Sequence, residues 1–229
     1  MINQNLTADE WLEQAKQYEQ KKEYKQAEKC LKEACDLGNA EAEAILGYYL
    51  IEGLVGEKDI ILGLAHMEAA AEKGDLRARL SAAAIYHEGL LVPANIQKTV
   101  HYYTLASGSG NTTASCELAT LYATGLGVPK DDGIAFELYR FAAERGDMIA
   151  IFNSADFYYD GRYIEQNYEV AYKLYLHPAT AGMAMAQYNL ALMLHDGIGV
   201  EKNIEQAKNW LNKAAAQGFD KAIKYLSEM

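Results

Sequence analysis

Two histidine–carboxylate pairs, His87-Glu88 and His195-Asp196, are the residues of this chain whose types could support metal or acid–base chemistry. Both fall at the same place in a 36-residue period, three periods apart. Adjacent residues on a helix point in different directions. Helical units stacked at about 10 Å would hold the pairs roughly 30 Å apart, which argues against a shared metal site. Sequence motifs for catalysis are missing: GxxxxGK[ST], HExxH, CxxC and GxSxG do not occur. Gly108-Ser109-Gly110 begins like a dinucleotide fingerprint, but Thr113 stands where the third glycine belongs and no strand precedes it. Asp131-Asp132-Gly133 opens like a calcium loop without its alternating oxygen ligands and closing Glu, and reads as a helix N-cap. No catalytic residue, metal site or cofactor is expected.

The cysteines carry no framework either. Cys30 and Cys35 diverge on one predicted helix and Cys116 is far away, so all three read as packing residues in a reducing compartment. The opening MINQNLTADEW lacks a basic and an apolar signal region, and no run of about 18 apolar residues could span a bilayer. A cytoplasmic location is the expectation, with export by a signal-independent route left open. Asn5-Leu6-Thr7 and Asn111-Thr112-Thr113 match the glycosylation triplet, which matters only in a secreted protein. A net charge of -11, with 21 Lys and Arg spread along the chain, argues against a concentrated phosphate-binding patch, so no nucleic-acid partner is expected. Half the residues are hydrophobic and only three are Pro, which suits a folded, nearly all-helical chain.

The elements that would position any site follow from one series of glycines. Gly38, Gly74, Gly110, Gly146, Gly182 and Gly218 recur every 36 residues, the signature of stacked helical units. Thr7 and Glu10 form a capping box that starts a helix over 8–21, and a turn at Lys22-Glu23 leads to a second over 24–37. Five units follow, over 39–74, 75–110, 111–146, 147–182 and 183–218. Ala42, Ala78, Ala114, Ala150, Ala186 and Ala222 keep each first helix close to the preceding pair. Gly47, Ala83, Ala119, Ala155 and Ala191, facing Gly63, Thr99, Ala135, Ala171 and Ala207, permit a tight helix crossing. Gly53, Gly89, Gly125, Gly161 and Gly197 close the first helices in the left-handed region. Val92, Val128, Ile164 and Val200 plug the loops, with Gly56 in that place in the earliest of the five units. Asp59, Asn95, Asp131, Asn167 and Asn203 cap the second helices. Pro178, in a column otherwise held by alanine, is expected to kink or end its helix near His177, and Gly108 to weaken the end of another.

Trp11, Ala15, Tyr18, Tyr24, Ala27, Leu31 and Ala34 give residues 1–38 a resemblance to the tetratricopeptide repeat. The segment from 39 onward resembles the Sel-one-like repeat family, best in Ala186, Tyr188, Leu190, Ala191, Leu194, Gly197, Gly199, Val200, Ala207, Trp210, Leu211, Ala214, Ala215 and Gly218. The resemblance implies an all-α, right-handed α/α superhelical solenoid of stacked helix-turn-helix repeats in a single domain. Residues 219–229 would supply a C-terminal capping helix.

The same resemblance implies that the first helices line a concave face. The tetratricopeptide register puts on it Tyr48, Ile51, Glu52, His87, Glu88, Thr124, Phe152, Asp156, Tyr159, Asp160, Tyr188, His195 and Asp196. Glu52, Glu88, Asp160 and Asp196 share one column, an acidic ridge with aromatics beside it in the fourth and fifth units. Such a groove suits a protein or extended peptide whose Lys and Arg meet the carboxylates; equally, a charged column keeps an array soluble. The implied role is a non-catalytic, monomeric protein-interaction scaffold. The alternatives are an immunity protein that neutralises a toxin or a secreted effector using the same groove. Some cysteine-rich relatives of the repeat bind or hydrolyse β-lactams, but their paired cysteines are missing here.

Overall fold

The computed structural model describes residues 6–228. Asn5 of the first glycosylation triplet, the residues before it in the opening stretch, and Met229 of the closing segment lie outside them. Among the described residues the structure has thirteen α-helices and no strand. The chain divides into two compact units, Met1–Gly110 and Asn111–Met229.

The first unit holds three hairpins: α1 (Ala8–Gln20) with α2 (Tyr24–Asp36), α3 (Ala40–Glu52) with α4 (Ile60–Glu72), and α5 (Leu76–Glu88) with α6 (Ile96–Gly108). The second holds α7 (Thr112–Thr124) with α8 (Asp132–Ala143), α9 (Met148–Asp160) with α10 (Tyr168–Thr180), α11 (Ala184–Asp196) with α12 (Ile204–Ala216), and a last helix, α13 (Asp220–Glu228). Successive hairpins pack through α2 on α3 and α4 on α5, and through α8 on α9, α10 on α11 and α12 on α13. The fold is an all-α solenoid of stacked helix-turn-helix repeats.

Local chemistry explains the regularity. Thr7 and Glu10 form the capping box, with the Glu10 carboxylate accepting from the Thr7 amide at 2.8 Å. Asp59, Asn95, Asp131, Asn167 and Asn203 each accept from the amide three residues on. A second capping column opens the first helices: Asn39, Asp75, Asn111 and Asp147 accept in the same way. Met183 occupies that column in the last hairpin without a side-chain cap. Each first helix of the five units closes on a left-handed glycine; at Gly197, φ is 75° and its amide donates to the Met193 carbonyl.

The small-residue columns are where the helices meet. Ala42, Ala114, Ala150, Ala186 and Ala222 are fully buried and Ala78 is nearly so. Replacing Ala150 with Leu is expected to destabilise the second unit by about 1–3 kcal/mol through overpacking, read as a lowered thermal midpoint. In the loops, Ile164 and Val200 pack onto the cores beside them. Where Gly56 replaces that plug, Leu54 and Val55 cover the core instead.

Pro178 departs from expectation. Helix α10 continues through it to Thr180. The proline withdraws the donor aimed at the carbonyl four residues back, and only Ala179 and Thr180 follow it in the helix. Ala181 donates to the His177 carbonyl at 3.0 Å and Met183 to the Pro178 carbonyl at 2.9 Å. The ring is also fully buried, filling the place its sibling alanines hold. Gly108 is the last residue of α6, with Ser109 as its cap.

Candidate functional site

In the first unit, helices α1, α3 and α5 present their faces side by side and enclose a groove of about 620 Å³. Tyr48, half exposed, stands within it, its ring 6.5 Å from that of the buried Tyr49. Glu41 of α3 sits between cations of the two neighbouring first helices, 3.0 Å from Lys16 Nζ and 2.8 Å from Arg77 Nη2. Glu19, Ile45 and Ser81 complete much of the lining. The groove is therefore of mixed charge around a tyrosine, with apolar floor between the polar groups.

The ridge residues of this unit lie at helix ends. Glu52 closes α3 and is exposed, 3.7 Å from Lys58; His87 and Glu88 close α5 and are also exposed. Ile51 is a correction. It is 5 % exposed, and its side chain lies where a Cβ on Gly63 would fall, so it packs the α3–α4 crossing and faces no groove.

In the second unit the corresponding residues are more engaged with one another. Thr124 is exposed, its hydroxyl donating to the Thr120 carbonyl at 2.7 Å. Phe152 is the second correction: at 6 % exposure it belongs to the core, its ring 5.5 Å from that of Tyr175. One turn later Asp156 accepts a hydrogen bond from the Tyr175 hydroxyl. Burial pushes the Asp156 carboxyl up to about 6; the Tyr175 bond opposes this, Asp160 adds to it, and Arg162 opposes it. Tyr159 meets Tyr168 edge to face at 5.2 Å, and Asp160 beyond it is exposed.

The last hairpin is covered by the chain itself. Tyr188 packs against Phe219 at 5.5 Å and Tyr225 at 6.3 Å. His195 lies 2.7 Å from Asp196 and 3.3 Å from the Tyr225 hydroxyl. Helix α13 thus takes the position a further first helix would occupy, and of these three sequence-derived residues only Asp196 is exposed.

Sequence reasoning passed over Glu41, Lys16 and Tyr225. A signal for Glu41 was present: it and Arg77 are one period apart, so one column carries opposite charges on adjacent helices and they pair. No group of three or more His, Cys, Asp or Glu able to hold a metal occurs among the described residues. The three cysteines are free, and burial raises each thiol, Cys35 to about 12. Thiols so disfavoured as thiolates are poor nucleophiles. Among the described residues no helix is long and apolar enough to cross a membrane.

The Sel1 repeat matches residues 17–39, 40–75, 77–111, 112–147, 149–176 and 184–219, reaching back into the segment that resembles a tetratricopeptide unit. No match was found among curated proteins. Among solved structures, protein c5321 of uropathogenic Escherichia coli, a protective antigen with the same kind of repeat fold, superposes with a TM-score of 0.79 at 29% identity. That similarity covers 94% of this chain and 47% of c5321, so the chain spans about half the length of that relative. A Sel1 repeat protein from Oxalobacter formigenes gives a TM-score of 0.78 at 27% identity, covering 97% of this chain and 88% of its own.

Proposed function

Since the chain belongs to the Sel1 repeat family, whose members are typically protein-interaction scaffolds, we propose that it is a non-catalytic, monomeric adaptor that holds a protein partner on its first-helix faces. The observation that carries this reading is the groove around Tyr48. It joins an exposed aromatic, which can anchor an apolar side chain, to the alternating charges of Lys16, Glu41 and Arg77. An extended segment lying on the first-helix face of either unit meets carboxylates at its helix ends: Glu52 and Glu88 in the first unit, Asp160 and Asp196 in the second. Lysine or arginine in the partner complements them and speeds encounter at low salt.

The test is affinity capture with mass spectrometry, comparing the wild-type chain with a Tyr48→Ala, Glu88→Lys variant and with Asp160→Lys. These positions are surface-exposed, so melting temperature should change little. A partner recovered by wild type is expected to fall about fivefold or more with the first variant, as loss of an aromatic anchor commonly costs over 1 kcal/mol. If every captured protein is retained by both variants, the assignment of the binding face fails.

A further inference from the structure

We propose that the cavity between α8 and α10, on the opposite side of the hairpins from the first-helix face, binds a small neutral molecule with an apolar body and one hydroxyl. The cavity measures about 400 Å³. Ser154 of α9 lines its base, Phe136, Ile151, Tyr158 and Leu174 form walls, and the exposed Arg140 and His177 stand at its mouth.

Two residue columns explain why it exists in this hairpin. At the period of Ser154 the siblings carry Leu46, Ala82, Leu118 and Leu190, so leucine fills this space in three of them. At the period of Ile151 they carry Glu43, Arg79, Ser115 and Gln187, all polar. Two of those polar chains tie the flanking second helices together. Arg79 donates to the carbonyls of Ala71 on α4 and Leu105 on α6, and Gln187 donates to Ala179 and accepts from Gln217. Ile151 can make no such tie, and Ser154 leaves unfilled the volume a leucine would take.

Ser154 is 4% exposed and its hydroxyl has no hydrogen-bond partner among the protein's groups. The other buried serine and threonine side chains bond one turn back: Ser115 donates to the Asn111 carbonyl at 2.9 Å and Thr99 to the Asn95 carbonyl at 3.1 Å. An orphaned buried hydroxyl calls for a partner, and this one lines a cavity. The walls are aromatic and aliphatic, which selects an apolar body. The cavity base carries no ionised group, and Arg140 at the mouth is already paired with Glu137 and Glu144, so the favoured ligand is neutral.

The probes are 4-methylphenol and its isostere without the hydroxyl, p-xylene, titrated against the full chain by ligand-observed NMR. Wild type is expected to bind 4-methylphenol about 2–10-fold more tightly than p-xylene, the range for one net hydrogen bond. Ser154→Ala should remove that preference while keeping both ligands. Ser154→Leu restores the residue three siblings carry and should keep the melting temperature while abolishing both interactions. The proposal is overturned if wild type binds neither probe, binds both equally, or if Ser154→Leu binds as well as wild type.

Discussion

The chain with Gly47→Ala and Gly63→Ala together is expected to melt below wild type, its first unit destabilised by roughly 1–4 kcal/mol. The sign is not obvious. Both glycines lie inside helices, where alanine is ordinarily better by about 0.5–1 kcal/mol. Their siblings Ala83, Ala119, Ala155 and Ala191, and Ala135, Ala171 and Ala207, make alanine the residue of consensus. The crossing of α3 and α4 reverses that expectation. A Cβ on Gly47 would fall 2.6 Å from the Gly63 carbonyl oxygen and 3.1 Å from the Met67 amide. A Cβ on Gly63 would fall 2.6 Å from the Gly47 carbonyl oxygen and 2.7 Å from Ile51 Cγ1. Because the obstacles include backbone, one helix must move as a body, and such overpacking costs about 1–3 kcal/mol per site. The two costs should add to less than their sum, since the first methyl already parts the helices for the second. Urea or thermal denaturation followed by circular dichroism checks this; a midpoint raised above wild type would place the helices further apart than the structure has them.

Residue type reports what the local backbone requires, but not which way a helix faces or how closely two helices cross. The caps, the left-handed glycines and the small-residue columns answer requirements of the local backbone, so each recurs at one spacing and is readable from residue type alone. Facing is different, because it depends on the rotation of a helix and on what the next helix sends across. Ile51 and Phe152 sit beside groove residues in sequence yet turn inward, towards Gly63 and Tyr175. Tyr188 belongs to a face, but Phe219 and Tyr225 lie on it. Tyr163 shows the limit most plainly. It takes a φ of 63°, in a column where Gly127 and Gly199 also have positive φ. Residue preference argues against a bulky side chain there. Its ring packs beside Phe136 at 6.1 Å and over Gly133, where a Cβ would come within 2.9 Å of it; that contact joins two elements and has no signature in either.

Asp156→Asn is expected to make the second unit more stable than wild type at pH 7, with the advantage shrinking as pH falls towards 4. The carboxyl titrates near 3.8 when unfolded and at about 6 in the fold, raised first by burial. A raised folded value means the native state holds the proton more tightly. Its stabilising contribution is therefore complete below the unfolded value and is lost as pH climbs through about 6. The separation corresponds to roughly 3 kcal/mol for a full loss. Asparagine keeps an oxygen for the Tyr175 hydroxyl and carries no charge to desolvate, so it retains the bond without the neutral-pH penalty. Asp132 works in the opposite sense: the bond from Arg162 holds its carboxyl low, so its contribution fades as pH falls. The difference between wild type and variant, measured by urea denaturation across that range, isolates Asp156 from such neighbours. A difference that stays constant with pH would mean that Asp156 titrates as an ordinary exposed carboxylate. The predicted course instead ties stability to the first-helix face proposed as the docking surface: near neutral pH the ionised Asp156 adds to the charge of Asp160, and a partner lysine docking between them should recover part of the stability that ionisation removes.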